Sequence, residues 1–238
     1  MRSVTAYMHE NAMIVGDVLP SEQFFTESLN VSRTVMREAF RSMAALKIID
    51  VGNGRRARVG AIDSSVMATS LNHAVNTAQI SIAEIWEVRS TIEVKTAARA
   101  AAMRTEAEAQ EIWTLYKGMV ENIDDLEQLI RHDIAFHEAI ARASKNALFE
   151  QIVRSFEPMI KLVATVAWRT RTTKAQKHKV LRDHQEIATA ILKRDTERAC
   201  QAMEAHFDKA LGSALERFSP ISANLIRNTK ISLPKTVG

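Results

Sequence analysis

The sequence is poor in residues that cross-link or interrupt a fold. A single cysteine, Cys200, excludes an intramolecular disulfide and suits a reducing compartment. Only 4 prolines and 7 glycines occur among 238 residues, so few positions interrupt helices. Hydrophobic residues at 46% and charged residues at 25% are the proportions of a globular protein with a sizeable core.

Long apolar segments are missing as well. The most apolar stretches, such as residues 160–168, are far shorter than the roughly 20 residues that a membrane-spanning helix needs. The N-terminal segment lacks the continuous apolar core of a secretion signal. We therefore expect a cytoplasmic protein without a membrane partner.

Positive charge is concentrated in residues 31–60, although the net charge of the whole chain is only +4. This window contains seven basic and two acidic residues, so the rest of the chain is close to neutral. Such a concentration is typical of a surface that binds a polyanion such as DNA. The alternative is a solvated basic surface without a ligand.

Two consecutive helices are predicted, one just before the basic window and one in its first half. Ser21 is a favourable N-cap for a helix that ends near Leu29, and Ser32 for a helix from Arg33 to about Leu46. The second helix has an apolar stripe at helical spacing, formed by Met36, Ala39, Phe40 and Met43.

Arg33, Arg37 and Arg41 follow one another at intervals of four, so they share a different face of the second helix. A helix with one buried face and one arginine face suits the DNA major groove, where arginine binds guanine edges or phosphates. The pattern therefore predicts a recognition helix.

A basic hairpin is predicted directly after this helix. Residues 48–51 and 55–59 have the composition of two short strands, and Gly52-Asn53-Gly54 favours a tight turn between them. Three arginines lie beyond the turn, at Arg55, Arg56 and Arg58. The order helix, turn, helix and basic hairpin is typical of a winged helix-turn-helix; the alternative is a small subdomain that binds nothing.

The run LPSEQFFTESLNVSRTVMREAF resembles the helix-turn-helix of the GntR family of regulators, and VSRTVMREAF is its most similar part. The two DNA-contacting arginines of the family match Arg33 and Arg37. Gln23 replaces a frequent arginine, and a usual glycine is replaced within residues 45–47. The resemblance and the pattern together predict DNA contacts by Ser21, Gln23, Ser32, Arg33, Thr34, Arg37, Arg41, Asn53, Arg55 and Arg56.

From Ile82 to about Phe218 the sequence has helical periodicity almost throughout. Polar residues interrupt its apolar stripes at Arg89, Asp133, His137, His184 and His206. Burying such groups without partners is costly, so they are expected to bind one another or a ligand.

Helix geometry predicts that four of these residues converge. Asp133 and His137 are one turn apart on one helix. His184 and His206 each lie eleven residues from Asp195, the predicted N-cap of the last helix, so an antiparallel hairpin returns them to one height. One carboxylate and three imidazoles suit Zn²⁺ or a similar divalent ion. The alternatives are separately satisfied core histidines and an isolated Asp133–His137 ion pair.

The second part also resembles a known domain. EIWEVRSTIEVKTAARAA, DIAFHEAIARASKN and the spacing from His184 to His206 resemble the FadR-type C-terminal ligand-binding domain of GntR regulators. The positions that bind the ion in metal-bearing members match Asp133, His137, His184 and His206. Arg89 matches an arginine that holds an acidic effector, and Glu93, one turn on, is expected to orient it.

The resemblance implies a transcription regulator rather than an enzyme. We expect a homodimeric repressor that binds a pseudo-palindromic double-stranded DNA operator. Its effector is expected to be a small organic acid, either a sugar acid or a hydroxy acid, bound near Zn²⁺.

Other functions fit a helical domain with buried histidines less well. A metal-dependent hydrolase needs a general base beside an open metal position, and the sequence offers no clear candidate. A di-iron oxidase needs Glu-x-x-His pairs, and none of the 7 histidines has Glu three residues before it. A metal sensor, in which the ion itself is the signal, is a third possibility.

Together these patterns predict a mainly α protein with two domains. A winged helix-turn-helix is expected over residues 1–62 and a linker or helix start over 63–80. An all-α antiparallel helical bundle that binds the metal and the effector is expected over 81–218. A poorly ordered tail is expected over 219–238.

Overall fold

The computed structural model describes residues 1–52, 54–169, 171 and 173–215, with side chains up to residue 207. The predicted tail therefore lies outside the described residues. The described ranges form mostly helices: α1 (Arg2–Glu10), α2 (Glu22–Ser28), α3 (Arg33–Ala45), α4 (Ser64–Asn76), α5 (Ile82–Met103), α6 (Glu106–Glu121), α7 (Leu126–Ala143), α8 (Ala147–Ser155), α9 (Glu157–Arg169), α10 (Lys174–Leu192) and α11 (Thr196–Leu215). Two strands, β1 (Ile49–Asp50) and β2 (Arg58–Val59), form an antiparallel sheet. The predicted mainly α fold class, a winged helix-turn-helix followed by a helical bundle, is confirmed.

The chain divides into two compact units after Met67. This division lies inside α4, within the stretch predicted as a linker or helix start. Leu71 and Val75 of α4 are half-buried against a hydrophobic cluster of the second unit. The exact boundaries of the domains stay a prediction.

The first unit has a hydrophobic core of its own. Its members come from α1, α2, α3 and the hairpin: Val4, Met8, Leu19, Phe25, Met36, Phe40, Met43, Ile49 and Ala57. The predicted apolar stripe of α3 is thereby confirmed, since three of its residues are buried and Ala39 is half-buried. The opposite face of α3 is left at the surface.

Side-chain caps fix the beginnings of α2 and α3. Phe24 N donates to Ser21 Oγ at 3.1 Å, and Val35 N donates to Ser32 Oγ at 3.2 Å, as predicted. The turn after α3 places Lys47 at a φ of 57°, in the left-handed region that favours glycine. Lys47 therefore occupies a turn position whose backbone conformation is more often found with glycine.

The hairpin pairs Ile49 with Val59 and Asp50 with Arg58. These strands are shorter than predicted, because the segment before β2 bonds elsewhere: the carbonyl of Ala57 accepts a hydrogen bond from Leu19 N at 2.8 Å. Arg58 Nη1 donates to Gly16 O at 2.6 Å, so this arginine holds the loop before α2.

The second unit is a helical bundle. Helix α5 packs against α7, α10 and α11, and α6 packs against α7 and α10. Buried alanines on α5, including Ala97, Ala100 and Ala101, let these helices approach closely around Phe136 and Ile140. Among the described helices, none combines the length and the apolar character needed to cross a bilayer.

Arginines fix one end of this bundle. Arg104 Nη2, at the end of α5, donates to Leu192 O at 2.6 Å, and Arg194 Nη2 donates to Arg104 O at 3.0 Å. Arg198 N donates to Asp195 Oδ1 at 2.9 Å, which confirms the predicted N-cap of α11. These bonds set the relative heights of α5, α10 and α11, on which the site residues lie.

Candidate functional site

The exposed face of α3 carries the predicted DNA-contacting residues. Ser32, Arg33, Thr34, Arg37 and Arg41 are all exposed. Arg41 Nη1 donates to Glu38 Oε1 at 2.8 Å, so part of its charge is neutralised. No described residue forms a hydrogen bond or an ion pair with the guanidinium groups of Arg33 and Arg37. These two side chains are therefore free to bind base edges or phosphates.

The remaining predicted DNA contacts lie on α2 and the hairpin. Ser21 is exposed, but its hydroxyl already caps α2. Gln23 is exposed and donates through Nε2 to Glu27 Oε1 at 2.8 Å. Arg55 and Arg56 are exposed in the hairpin. Asn53 lies outside the described residues.

In the second unit, the three stripe histidines come together from three helices. His137 on α7, His184 on α10 and His206 on α11 place one nitrogen each within 4.8 Å of one another. The ring centroids of His184 and His206 are 4.6 Å apart, as expected from their equal distances to Asp195. Asp133, one turn before His137, contributes a carboxylate with Oδ1 at 2.9 Å from His184 Nε2. The convergence of the three histidines follows the prediction from helix geometry, and Asp133 contacts one of them, His184.

The partners of two Nδ1 atoms determine which histidine nitrogens can bind a metal. Val180 O lies 2.9 Å from His184 Nδ1 and can only accept, so this nitrogen carries the proton. A carboxylate oxygen of Glu93 likewise contacts His137 Nδ1. In the neutral rings, Nε2 of both histidines then carries a lone pair. Such partners are typical of the outer shell around metal-binding histidines.

The contact between His184 Nε2 and Asp133 requires a cation. Nε2 is buried and makes no well-formed hydrogen bond within the described structure. A lone pair facing a carboxylate oxygen at 2.9 Å is repulsive unless a proton or a metal ion lies between or beside them. The donor set of three imidazoles and one carboxylate therefore fits a divalent ion.

In the absence of a metal, the lowered pKa values of Asp133 and His206 favour the forms that can bind a cation, whereas the raised pKa of His184 favours its protonated form. Burial would raise the pKa of the Asp133 carboxyl, but the adjacent His184 outweighs it and holds that pKa well below its usual range. Burial would lower the pKa of His184, but Asp133 raises it overall. Burial and the neighbouring His184 and His137 hold the pKa of His206 well below its usual value, so its ring is neutral.

A buried ion pair connects α5 to this cluster. Arg89 and Glu93 are only 2% and 1% exposed, and Arg89 Nε donates to Glu93 Oε1 at 2.6 Å. Burial would raise the pKa of Glu93, but the charges of Arg89 and His137 hold it below its ordinary value. Glu93 therefore bridges Arg89 and His137 as a carboxylate.

Two aromatic rings enclose the guanidinium of Arg89. Its central carbon lies 5.0 Å from the Trp86 ring centroid and 5.2 Å from that of Phe207. These cation–π contacts restrict the side chain to one position. No described residue accepts a hydrogen bond from its Nη atoms, which leaves a planar pair of donors beside the histidines.

A cavity of about 80 Å³ adjoins the cluster. Arg89, Asp133, His137, His184 and His206 all contribute to its lining. This volume is several times the roughly 15 Å³ that one water molecule requires. The site thus combines an arginine, a cation-binding cluster and space for a small anion.

Sequence reasoning missed some contributors to this site. Glu93 was expected to orient the effector, whereas it also contacts His137. The carbonyl of Val180 was not considered, because backbone acceptors leave no sequence signal. The apolar side of the cavity, formed by α9, was missed too, although its helical spacing from Ile160 to Trp168 was a usable signal.

Two family models match the chain. The model for bacterial regulatory proteins of the gntR family matches residues 3–59, and the FCD domain model matches residues 84–209. A solved structure, Streptococcus agalactiae GntR, superposes with a TM-score of 0.62 at 22% identity, covering 89% of this chain and 97% of that one. This last similarity supports the fold.

Curated relatives include regulators from two bacteria. The HTH-type transcriptional regulator LutR of Bacillus subtilis is 28% identical over 195 residues, covering 80% of this chain and 88% of that protein. The Glc operon transcriptional activator of Escherichia coli K12 is 29% identical over 211 residues, covering 86% and 83%. The Galactonate operon transcriptional repressor of Escherichia coli K12 is 27% identical over 195 residues, covering 79% and 83%.

These findings indicate a transcription regulator rather than a helical-bundle enzyme. The FCD model alone covers more than half of the chain, and the gntR model covers α1, α2, α3 and the hairpin. The free arginines of α3 and the anion-sized cavity agree with a DNA-binding and a small-molecule-binding domain. The chain belongs to the GntR family of bacterial regulatory proteins, in the group that carries a C-terminal FCD domain.

Proposed function

We propose that this regulator binds a pseudo-palindromic operator as a homodimer, and that a small carboxylate bound at a Zn²⁺ centre changes its operator affinity. The main support is the cluster of His137, His184 and His206, whose ligand atoms lie within 4.8 Å of one another beside Arg89. An organic acid fits this site because both a cation and an arginine attract its carboxylate.

The metal would be held by the three histidines and Asp133. Zn²⁺ suits imidazole nitrogen and carboxylate oxygen, and when bound it supplies a concentrated positive charge for an anionic ligand. Glu93 and Val180 O keep the Nδ1 protons of His137 and His184 in place, which leaves Nε2 as the donor nitrogen.

Arg89 would bind the effector carboxylate through its two Nη atoms. Trp86 and Phe207 hold the guanidinium in place, and Glu93 binds Nε, so the fork is already oriented before the effector arrives. Such preorganisation reduces the ordering cost of binding.

Regulation would follow from linkage between the two binding events. In a dimer, two α3 helices would enter successive major grooves, about 34 Å apart on B-DNA. An effector that prefers one conformation of the dimer changes operator affinity by the same factor as the operator changes effector affinity. We predict that the regulator represses transcription from its operator. A promoter fused to a reporter gene, assayed in cells with and without this protein, tests the prediction.

A His184→Ala variant tests the metal centre. We expect purified native protein to bind one Zn²⁺ per chain and the variant to lose most of that affinity, because a ligand and the partner of Asp133 are both removed. Metal content after dialysis against a weak chelator measures this. His178→Ala is the matched control, since His178 is exposed on the same helix; equal zinc binding by both variants would contradict the proposal.

An Arg89→Lys variant tests the effector site. Lysine keeps a positive charge next to Glu93 but lacks the planar fork, so we expect acid binding to weaken by roughly tenfold or more. Operator binding without effector should be unchanged. Arg99→Lys is the control on the same helix, because Arg99 Nε donates to Ser144 O at 3.1 Å, away from the cavity.

The metal-sensor alternative gives a different result in the same assays. If zinc alone set the operator affinity and no organic acid changed it, the ion would be the signal and the proposed effector role would be wrong. Titration of operator DNA with zinc-loaded and zinc-free native protein, with and without acids, separates the two.

A further inference from the structure

The side of the cavity formed by α9 contains no metal-binding residue. Helix α9 contributes Ile160, Val163, Ala164, Ala167 and Trp168, which recur at helical spacing and so share one face. Four further apolar side chains come from α6, α7 and α10. Most polar groups, in contrast, lie on α5, α7, α10 and α11 at the histidine cluster; Arg171 and the indole of Trp168 are the polar lining groups on the α9 side.

These apolar side chains offer almost no partners for hydroxyl groups. Among the described lining residues, aliphatic side chains have no donor or acceptor, and the exceptions beyond the cluster are tryptophans and Arg171. Arg171 follows α9, and its guanidinium lies 5.5 Å from the Trp168 ring centroid. A hydroxyl buried without a partner lowers affinity by roughly tenfold or more.

A hydrocarbon group gains affinity in the same place. Each buried methylene contributes about 0.8 kcal/mol in transfer from water, which corresponds to about fourfold in affinity. Val163 and Trp168 are only 4% and 7% exposed, so a ligand body beside them is shielded from water on that side.

We infer that the effector is a small 2-hydroxy or 2-oxo monocarboxylate with a short hydrocarbon body, rather than a polyhydroxylated sugar acid. The carboxylate and its neighbouring oxygen face the cation cluster and Arg89, and the hydrocarbon body lies against α9. This inference rests on the proposed function, and it chooses between the two acid classes that the sequence left open.

Four acids with the same 2-hydroxycarboxylate group test the inference. Glycolate has no body, 2-hydroxy-4-methylpentanoate has a branched hydrocarbon, gluconate has a polyol, and 2-hydroxyglutarate has a second carboxylate. Calorimetric titration into zinc-loaded, full-length protein measures each affinity. We expect 2-hydroxy-4-methylpentanoate to bind at least about tenfold more tightly than glycolate, and gluconate more weakly than either.

The outcomes separate this inference from the proposed function. If gluconate or 2-hydroxyglutarate binds as tightly as 2-hydroxy-4-methylpentanoate, the inference is overturned while carboxylate sensing stands. If none of the four acids binds the zinc-loaded protein, both fail.

An Ala164→Phe variant tests the location of the hydrocarbon body. Ala164 is half-buried and lines the cavity, so a phenylalanine ring at this position would fill part of the space for the hydrocarbon body. The affinity for 2-hydroxy-4-methylpentanoate should therefore fall at least about tenfold, while the affinity for glycolate should change less than about twofold. Val166→Phe is the matched control, because Val166 lies on the same helix, is 38% exposed and does not line the cavity.

Ala167→Leu provides a second variant with a smaller added volume, in case Ala164→Phe does not fold. It should also reduce the preference for 2-hydroxy-4-methylpentanoate over glycolate. Zinc content and melting temperature confirm that each variant is folded. An unchanged preference in the folded variants overturns the placement of the body against α9.

Discussion

An Arg37→Ala variant is expected to bind operator DNA at least about thirtyfold more weakly than the native protein. The substitution removes from each protomer of a dimer one arginine–DNA interaction worth about 1–3 kcal/mol, so its effect on the dimer is doubled. Arg37 is exposed on α3 and pairs with no other described residue, so the substitution should leave the free energy of unfolding nearly unchanged.

The measurement uses an operator fragment selected from random DNA by the native protein. Fluorescence anisotropy at several salt concentrations gives both the affinity and its salt dependence. If Arg37 binds a base, its removal relaxes the sequence preference at one position of each half-site. If Arg37 binds a phosphate, its removal lowers the salt slope by about one for each phosphate that is no longer neutralised.

Arg41→Ala is the matched control for this prediction. Arg41 shares the exposed face of α3, but its guanidinium is already bonded to Glu38 at 2.8 Å. We expect a smaller decrease in affinity, below about tenfold, because that ion pair must open before Arg41 can bind DNA. If operator affinity decreased equally in the two variants, or if Arg37→Ala bound the operator as tightly as the native protein, Arg37 would not be a principal DNA-binding residue.

Much of the fold could be predicted because it depends on local sequence. The serines before α2 and α3 accept backbone hydrogen bonds as expected, and so does Asp195 before α11. Apolar stripes identified the inward faces of α3 and of the helices that carry the site, which is why the buried histidines could be recognised as out of place. Because His184 and His206 are equally far from Asp195 in sequence, the two antiparallel helices place them at the same height.

Contacts between distant segments could not be predicted in the same way. Arg58 lies in the predicted wing, but its side chain binds Gly16 O, 42 residues away in sequence. Helix α4 gave a weak signal because no residue of it is fully buried, and only a half-buried side packs against the second unit. Its residues also include no Asp, Glu, Lys or Arg that would mark an exposed helix face.

The candidate site was predicted in its residues but not in its chemistry. The sequence placed Asp133 and His137 one turn apart, whereas the structure pairs Asp133 with His184 on another helix. The proton positions depend on Glu93 and Val180 O, which lie near the histidines only after the helices pack. Ligand class was left open for the same reason, since the apolar face of α9 becomes a cavity wall only in the folded bundle.

A Glu93→Gln variant is expected to lose zinc affinity by roughly 10- to 100-fold, although it removes no metal ligand. Glu93 accepts a hydrogen bond from Arg89 Nε through Oε1 and contacts His137 Nδ1 through Oε2. Glutamine has one acceptor oxygen and one NH₂ group. Because Arg89 can only donate, the amide oxygen must face Arg89.

The NH₂ group of the glutamine then faces His137 Nδ1. Two donors cannot form a hydrogen bond, so the imidazole has to move its proton from Nδ1 to Nε2, or break the contact. A protonated Nε2 has no lone pair for the ion. The substitution therefore acts through the tautomer of His137, while the volume of the side chain stays almost the same.

Competition with a chromophoric chelator measures the zinc affinity, and calorimetry with 2-hydroxy-4-methylpentanoate measures the effect on the acid. Glu138→Gln is the matched control, because Glu138 follows His137 on α7 but pairs with Arg154 at 3.6 Å. If the zinc affinity of Glu93→Gln stayed within about threefold of the native value, Glu93 would not position His137. A decrease in zinc affinity in Glu93→Gln but not in Glu138→Gln would show that Glu93 positions His137. If zinc also ceased to strengthen acid binding in Glu93→Gln, the Arg89–Glu93–His137 chain would be the connection between the two ligands.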